Sequence, residues 1–293
     1  MAVLRVSKAE SGAALNRVLR RALTELGQED GRTLRLVEYF EERVERLPDV
    51  AAEIVRAQPN AIVALGLPAV RALREATPSI PIVAVTSFPV ELGLVPTLAR
   101  PGGNLSGVTI FTEELNVKRL ALLRELMPDA RRLAALRDPA AAPAEHLRSL
   151  REAAQELRVT FDVIDASQPE DIAPAFRRAR EAGFEAVNVL ASPMFNGVSG
   201  IIATAAAQAR LPTICQWREM TEAGCVMSYG PSYLETLRVV AKQLDRVLRG
   251  TRIADLPFEQ PTKFELVINL KAAKAIGLDI PPMLLLRADE VIE

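Results

Sequence analysis

Short apolar runs alternate with longer stretches of helical periodicity along the chain. Val3 to Val6 reads as a first strand, with Ser7 to Gly12 as the loop at its C-terminal end. From Ala13 to Leu26 the apolar residues Leu15, Val18, Leu19, Ala22, Leu23 and Leu26 recur at the spacing of one helix face, and Gly27 supplies a stop. Leu34, Leu36 and Tyr39 predict a strand. Leu47 to Ala57 predicts a helix, with Pro48 at its start where a missing N–H does no harm. Ala61 to Leu65 is a strand ending in Gly66-Leu67-Pro68, followed by a helix over Ala69 to Ala76. Ile82 to Val85 is short and β-branched enough for a buried parallel strand, and it delivers Thr86, Ser87, Phe88 and Pro89 at its end.

A break follows. Pro101-Gly102-Gly103 stops regular structure, and Asn104 to Phe111 resumes as an extended segment, read as the first crossing between two lobes. Beyond it the alternation repeats. Helices are predicted over Leu115 to Leu126, Glu145 to Leu157, Pro169 to Ala182 (Ser167 as N-cap with Glu170 in a capping-box spacing), Gly200 to Ala209 and Leu234 to Leu248. Strands are predicted over Arg132 to Leu136, Thr160 to Ile164, Ala186 to Leu190, Pro212 to Cys215, Val226 to Ser228 and Phe264 to Ile268. Such a run of β-α units is the signature of doubly wound parallel sheets.

The chemistry gathers where these strands stop. Gly66-Leu67, Thr86-Ser87-Phe88, Asp138, Ser192, Gln216-Trp217 and Ser228-Tyr229 each follow an apolar run. Parallel strands end on one side, so residues scattered in sequence converge there, beside helix N-termini that offer free N–H groups to an anion. Phe88 and Trp217 are candidate apolar walls.

Composition narrows the classes. At 293 residues the chain suits two domains, and 49% hydrophobic with 25% charged residues is ordinary for a globular protein. A net charge of −1 gives no electrostatic case for nucleic acid. No apolar run approaches the ~18 residues of a membrane span, and no signal-peptide core is visible near Met1. Material for catalysis is thin. The one histidine, His146, is expected on a solvated helix face, and the pairs Glu41-Glu42 and Glu113-Glu114 are expected to be solvated. Dinucleotide, P-loop and serine-elbow motifs are absent, so neither an enzyme, a metal centre nor a cofactor is expected. Cys215 and Cys225 are expected as free, buried thiols, with a bridge left open.

PGGNLSGVT (Pro101 to Thr109), SYGPSYLE (Ser228 to Glu235) and LPFEQPTKFELVINLKAAKAIGLDIPP (Leu256 to Pro282) resemble the periplasmic substrate-binding proteins of ABC transporters, in the branch associated with tryptophan and other aromatic amino acids. The resemblance implies a type I periplasmic-binding-protein fold. Its first lobe would hold residues 1–108 and 229–255, and its second 109–228 and 256–293. The hinge would use Asn104 to Val108, Val226 to Gly230 and Leu256 to Pro261. It further implies a small amino-acid-like ligand captured by closure, membrane permease subunits as partners, and a periplasmic or lipid-anchored location. The ligand's charged end would meet hydroxyls and helix-start N–H groups near Ser11, Ser87 and Ser192, with Asp138 taking an α-amino group. Leu67, Phe88 and Ser192 stand where the family often has more polar residues, which implies a more apolar ligand. The ligand-sensing core of a transcriptional regulator or signalling receptor shares the fold and is the alternative.

Overall fold

The computed structural model describes residues 1–110 and 112–293, with the side chains of residues 10–12, 14 and 15 outside that description. Two compact units emerge, Met1–Phe111 with Tyr233–Thr262, and Thr112–Ser232 with Lys263–Glu293. The chain therefore passes between them three times. These divides fall three to seven residues after the expected ones.

In the first unit the chain forms β1 (Ala2–Arg5), α1 (Ala9–Glu25), β2 (Val37–Phe40), α2 (Leu47–Arg56), β3 (Ile62–Leu65), α3 (Leu67–Ala76), β4 (Ile82–Thr86) and β5 (Leu105–Thr109). The sheet order is β2-β1-β3-β4-β5, parallel throughout. Alternation along β1 sorts its side chains by face. Ala2, Leu4 and Val6 pack with Leu47 and Ile54 of α2 and Val70 and Leu73 of α3. Arg5 points to the other face, towards α1. Each fully buried Leu or Ile there contributes about 1.5–3 kcal/mol of transfer free energy. Leu92 to Leu98 runs through a turn and bends without regular structure.

The second unit takes up α4 (Thr112–Leu126), β6 (Arg132–Arg137), α5 (Arg148–Glu156), β7 (Thr160–Asp165), α6 (Ile172–Glu181), β8 (Ala186–Val189), α7 (Pro193–Gly197), α8 (Ser199–Ala209), β9 (Thr213–Cys215), α9 (Arg218–Glu222) and β10 (Met227–Pro231). α10 (Tyr233–Leu248) returns to the first unit, and β11 (Phe264–Asn269), α11 (Leu270–Ala275), α12 (Pro282–Arg287) and β12 (Glu290–Ile292) complete the second. Its sheet order is β12-β11-β10-β9-β8-β6-β7. β10 pairs antiparallel with β11, so β11 and β12 run against the five parallel strands. The capping box before α6 is Gln168 with Asp171, one residue on from the expected pair. Among the described residues no helix is long and apolar enough to cross a membrane.

Two glycines are required by close approach. A Cβ on Gly107 would lie 2.0 Å from the Ala84 carbonyl oxygen, at a φ of +146°. A Cβ on Gly230 would lie 2.1 Å from the Gln216 carbonyl oxygen. Gly107 sits in a knot that fastens the last crossing to β5. Glu259 N donates to Gly107 O at 2.9 Å, Thr109 N donates to Glu259 O at 3.0 Å, and Gln243 Nε2 reaches Gly107 O, Pro257 O and Glu259 Oε1.

Candidate ligand-binding site

In the first unit the register aligns Arg5 with Leu65 and Leu65 with Val85 across β1, β3 and β4. One residue further along, Gly66 and Thr86 occupy the same sheet edge. Gly66 turns the chain at a φ of +102° into α3, donates its N–H to Val85 O at 2.8 Å, and leaves Leu67 buried as the first helical residue. Thr86 and Ser87 are buried at the end of β4. Phe88 is buried too, with φ at +56°. A bulky residue avoids that left-handed conformation, which costs about 1–3 kcal/mol. Ser11 falls in the first turn of α1, because the helix starts at Ala9 and not after Gly12; its side chain lies outside the described residues.

Beside these groups lies one that strand-tip reasoning does not select. Arg5, the last residue of β1, is 3% exposed. Its Nε and Nη2 donate to Asn16 Oδ1 at 3.1 and 2.9 Å, and Nη2 donates to Tyr233 Oη at 2.6 Å.

The second unit brings Asp138 and Ser192 together. Leu136 and Val189 pair in register on β6 and β8, and the turns beyond place Ser192 Oγ 2.6 Å from Asp138 Oδ2, to which it donates. Ser192 Oγ also accepts from Phe195 N at 3.2 Å as the cap of α7. Asp138 Oδ1 accepts from Ala140 N at 3.0 Å. Burial nonetheless outweighs these bonds and the charge of Arg137, and pushes the Asp138 carboxyl above the usual carboxylate range.

Gln216 and Trp217 follow β9 and are buried, with Gln216 Nε2 lacking a partner. Glu219, two residues on, has its carboxyl raised by burial and its Oε2 unpartnered. Ser228 and Tyr229 lie within β10, which runs on to Pro231. Ser228 is in register with Cys215 and its hydroxyl is unpartnered. The Tyr229 ring, half-buried, stacks on Phe264 with centroids 6.3 Å apart and packs against the core of this unit.

Fully buried Arg119 on α4 donates from Nη1 to Tyr229 O at 2.8 Å and from Nη2 to Asn116 Oδ1 at 2.5 Å. Burial holds it down at about 10. Cys215 and Cys225 are free, buried thiols with their sulfurs 2.8 Å apart. His146 is not on a solvated face. It sits in a 3₁₀ turn before α5 with its Nδ1 2.9 Å from Glu113 Oε1, 12% of its side chain exposed.

A family model described as ABC transporter substrate binding protein matches residues 2–292. The chain belongs to that family. Substrate-binding proteins of this kind are solute binders and not enzymes, and they work outside the cytoplasm. The tyrosine-binding protein of Clostridioides difficile (strain R20291) is 26% identical to this protein over 269 residues, 88% of this chain and 75% of that one. Among solved structures, a conserved domain protein from Vibrio cholerae O1 biovar El Tor matches with a TM-score of 0.90 at 24% identity, covering 99% of this chain and 98% of that one. An ABC domain from Streptococcus pneumoniae in complex with L-Trp matches with a TM-score of 0.89 at 21% identity, again over 99% and 98%. The substrate-binding protein thus has the type I periplasmic-binding-protein fold.

Proposed function

We propose that this protein is the solute-binding component of an ABC importer and captures an amino acid, with an aromatic side chain the best fit. The observation that carries the reading is the buried Asp138–Ser192 pair at the strand ends of the second unit. A carboxylate buried against its own solvation gains from a cation, and an α-ammonium in hydrogen-bond reach satisfies it. Ser192 and the Ala140 N–H hold the carboxylate in place and leave lone pairs for a ligand.

Further support comes from relatives that bind tyrosine or carry L-Trp. Phe88 in the first unit and Trp217 in the second supply rings at strand ends. The two units act as lobes that close on the ligand by rotation about the three crossings, and the closed form docks on membrane permease subunits. The protein works in the periplasm or on a lipid anchor.

Calorimetric titration with the standard amino acids, preceded by mass spectrometry of small molecules released on denaturation, tests this reading. An amino acid in the released fraction that also binds the stripped protein is the expected result. Sugars or nucleosides released instead, with every amino acid silent, would remove it. Small-angle scattering with saturating ligand tests closure, which predicts a smaller radius of gyration.

A further inference from the structure

The first unit holds a buried positive charge that nothing described there neutralises. Arg5 spends its hydrogen bonds on an amide oxygen and a phenol, and no carboxylate among the described residues pairs with it. Its Nη1 has no hydrogen bond among them. A guanidinium taken out of water without a counter-charge is costly, so such a group is ordinarily paired.

The hydrogen-bonding capacity left over nearby is rich in donors. Asn16 Nδ2, on the amide whose oxygen holds Arg5, is buried without an acceptor. Ser7 Oγ, two residues beyond Arg5, is buried without a partner. Two long helices flank the guanidinium, which meets α1 at Asn16, the eighth residue of that helix. α1 starts four residues after Arg5, and α10 starts with Tyr233, whose hydroxyl Arg5 touches. Glu235, the acid in the first turn of α10, is already bonded to Arg238 at 2.5 Å. A buried cation and leftover donors thus meet no anion among the described residues.

We infer that Arg5, with Asn16 and Ser7, forms a carboxylate subsite that receives the ligand's α-carboxylate. This rests on the amino-acid reading above and completes it, since Asp138 accounts only for the ammonium. Arg5 lies on the same sheet edge as Gly66 and Thr86, where a ligand of that class would arrive.

Calorimetry with L-tryptophan, L-tyrosine and their decarboxylated amines, tryptamine and tyramine, is the test. Wild-type protein is expected to bind the amines at least tenfold more weakly than the amino acids, the scale of one charge-assisted bond. Arg5→Gln is expected to weaken the amino acids by a similar factor while moving the amines less than about threefold. Asn16→Asp, nearly isosteric, gives Arg5 an internal partner. It is expected to raise the melting temperature and weaken the amino acids about tenfold or more.

Amines that bind wild type as tightly as the amino acids overturn the proposal. So does an Asn16→Asp protein with unchanged affinity, even where Arg5→Gln fails to fold. If no standard amino acid binds wild type, the amino-acid reading falls separately, and 3-phenylpropionate decides the subsite. Its binding to wild type and loss in Asn16→Asp keep the carboxylate site; no binding removes it.

Discussion

The strand ends of the two units carry buried ionisable groups of opposite sign, and they are satisfied to different degrees. In the second unit Asp138 accepts from Ser192 Oγ and Ala140 N, and burial alone makes it unusual. In the first unit Arg5 has neutral partners and a surplus of donors around it. The second unit has its own buried arginine, but Arg119 lies two turns into α4 and braces the carbonyl of Tyr229 from within the core. Two sheets built on the same winding rule therefore expose different chemistry at their edges. The winding decides where polar groups arrive, and the sequence decides which charge arrives there.

The largest expected effects attack the two edges through their backbones. Gly107→Ala would drive a methyl group into the backbone of Ala84 and should destabilise the first unit by roughly 3 kcal/mol or more. Gly230→Ala would do the same to the second unit at Gln216. Calorimetric melting should show each variant lowering the transition of its own unit; an unchanged profile for either would mean the strands shift apart cheaply.

Next in size is Asp138→Asn, which removes the charge and keeps the shape. It should weaken an ammonium-bearing ligand by about 1.5–3 kcal/mol, roughly tenfold to a hundredfold, without lowering the melting temperature. An unchanged dissociation constant would take Asp138 out of the site.

The same carboxyl sets a pH dependence, with a sign opposite to the usual acid case. Its folded pKa is raised, so in the free protein stability is lost as pH rises from the ordinary aspartate value through the raised one. Binding an ammonium favours the ionised form, so affinity should be full above the raised pKa and fall as pH drops through it, by at most about tenfold per unit. Titrations between about pH 4 and 7 check this; a flat profile would separate Asp138 from the ligand.

The smallest effect compares the rings. Phe88→Leu and Trp217→Leu should each weaken an aromatic amino acid by about 0.5–1.5 kcal/mol beyond lost area, and an aliphatic one by less. Equal losses for both ligand types would mean that the rings only fill space.

Much of this architecture was legible because apolar runs and helical periodicity are local signals. Both sheets, and the polar tips at Thr86, Asp138 and Ser192, follow from them. The five-residue helices α7 and α9 were not legible, being too short to show a period. Nor was the reversed direction of β11 and β12, since strand direction leaves no mark on local composition. His146 fits a solvated helix face by spacing, yet a 3₁₀ turn brings it to Glu113. Arg5 does leave a trace, as a charge inside the run Val3-Leu4-Arg5-Val6. Its partner Tyr233 stands 228 residues away, a separation that no periodicity encodes.

The placement of Trp217, Cys215 and Cys225 has a practical corollary. The chain's single tryptophan and both thiols belong to the second unit, and all three are buried. Intrinsic indole emission and thiol-labelling rates are thus reporters of one unit only. A sulfur reagent can react only when that half opens, so its rate under native conditions times local opening there. The first unit carries no such reporter, and disagreement between these signals and far-ultraviolet circular dichroism would measure how independently the halves come apart.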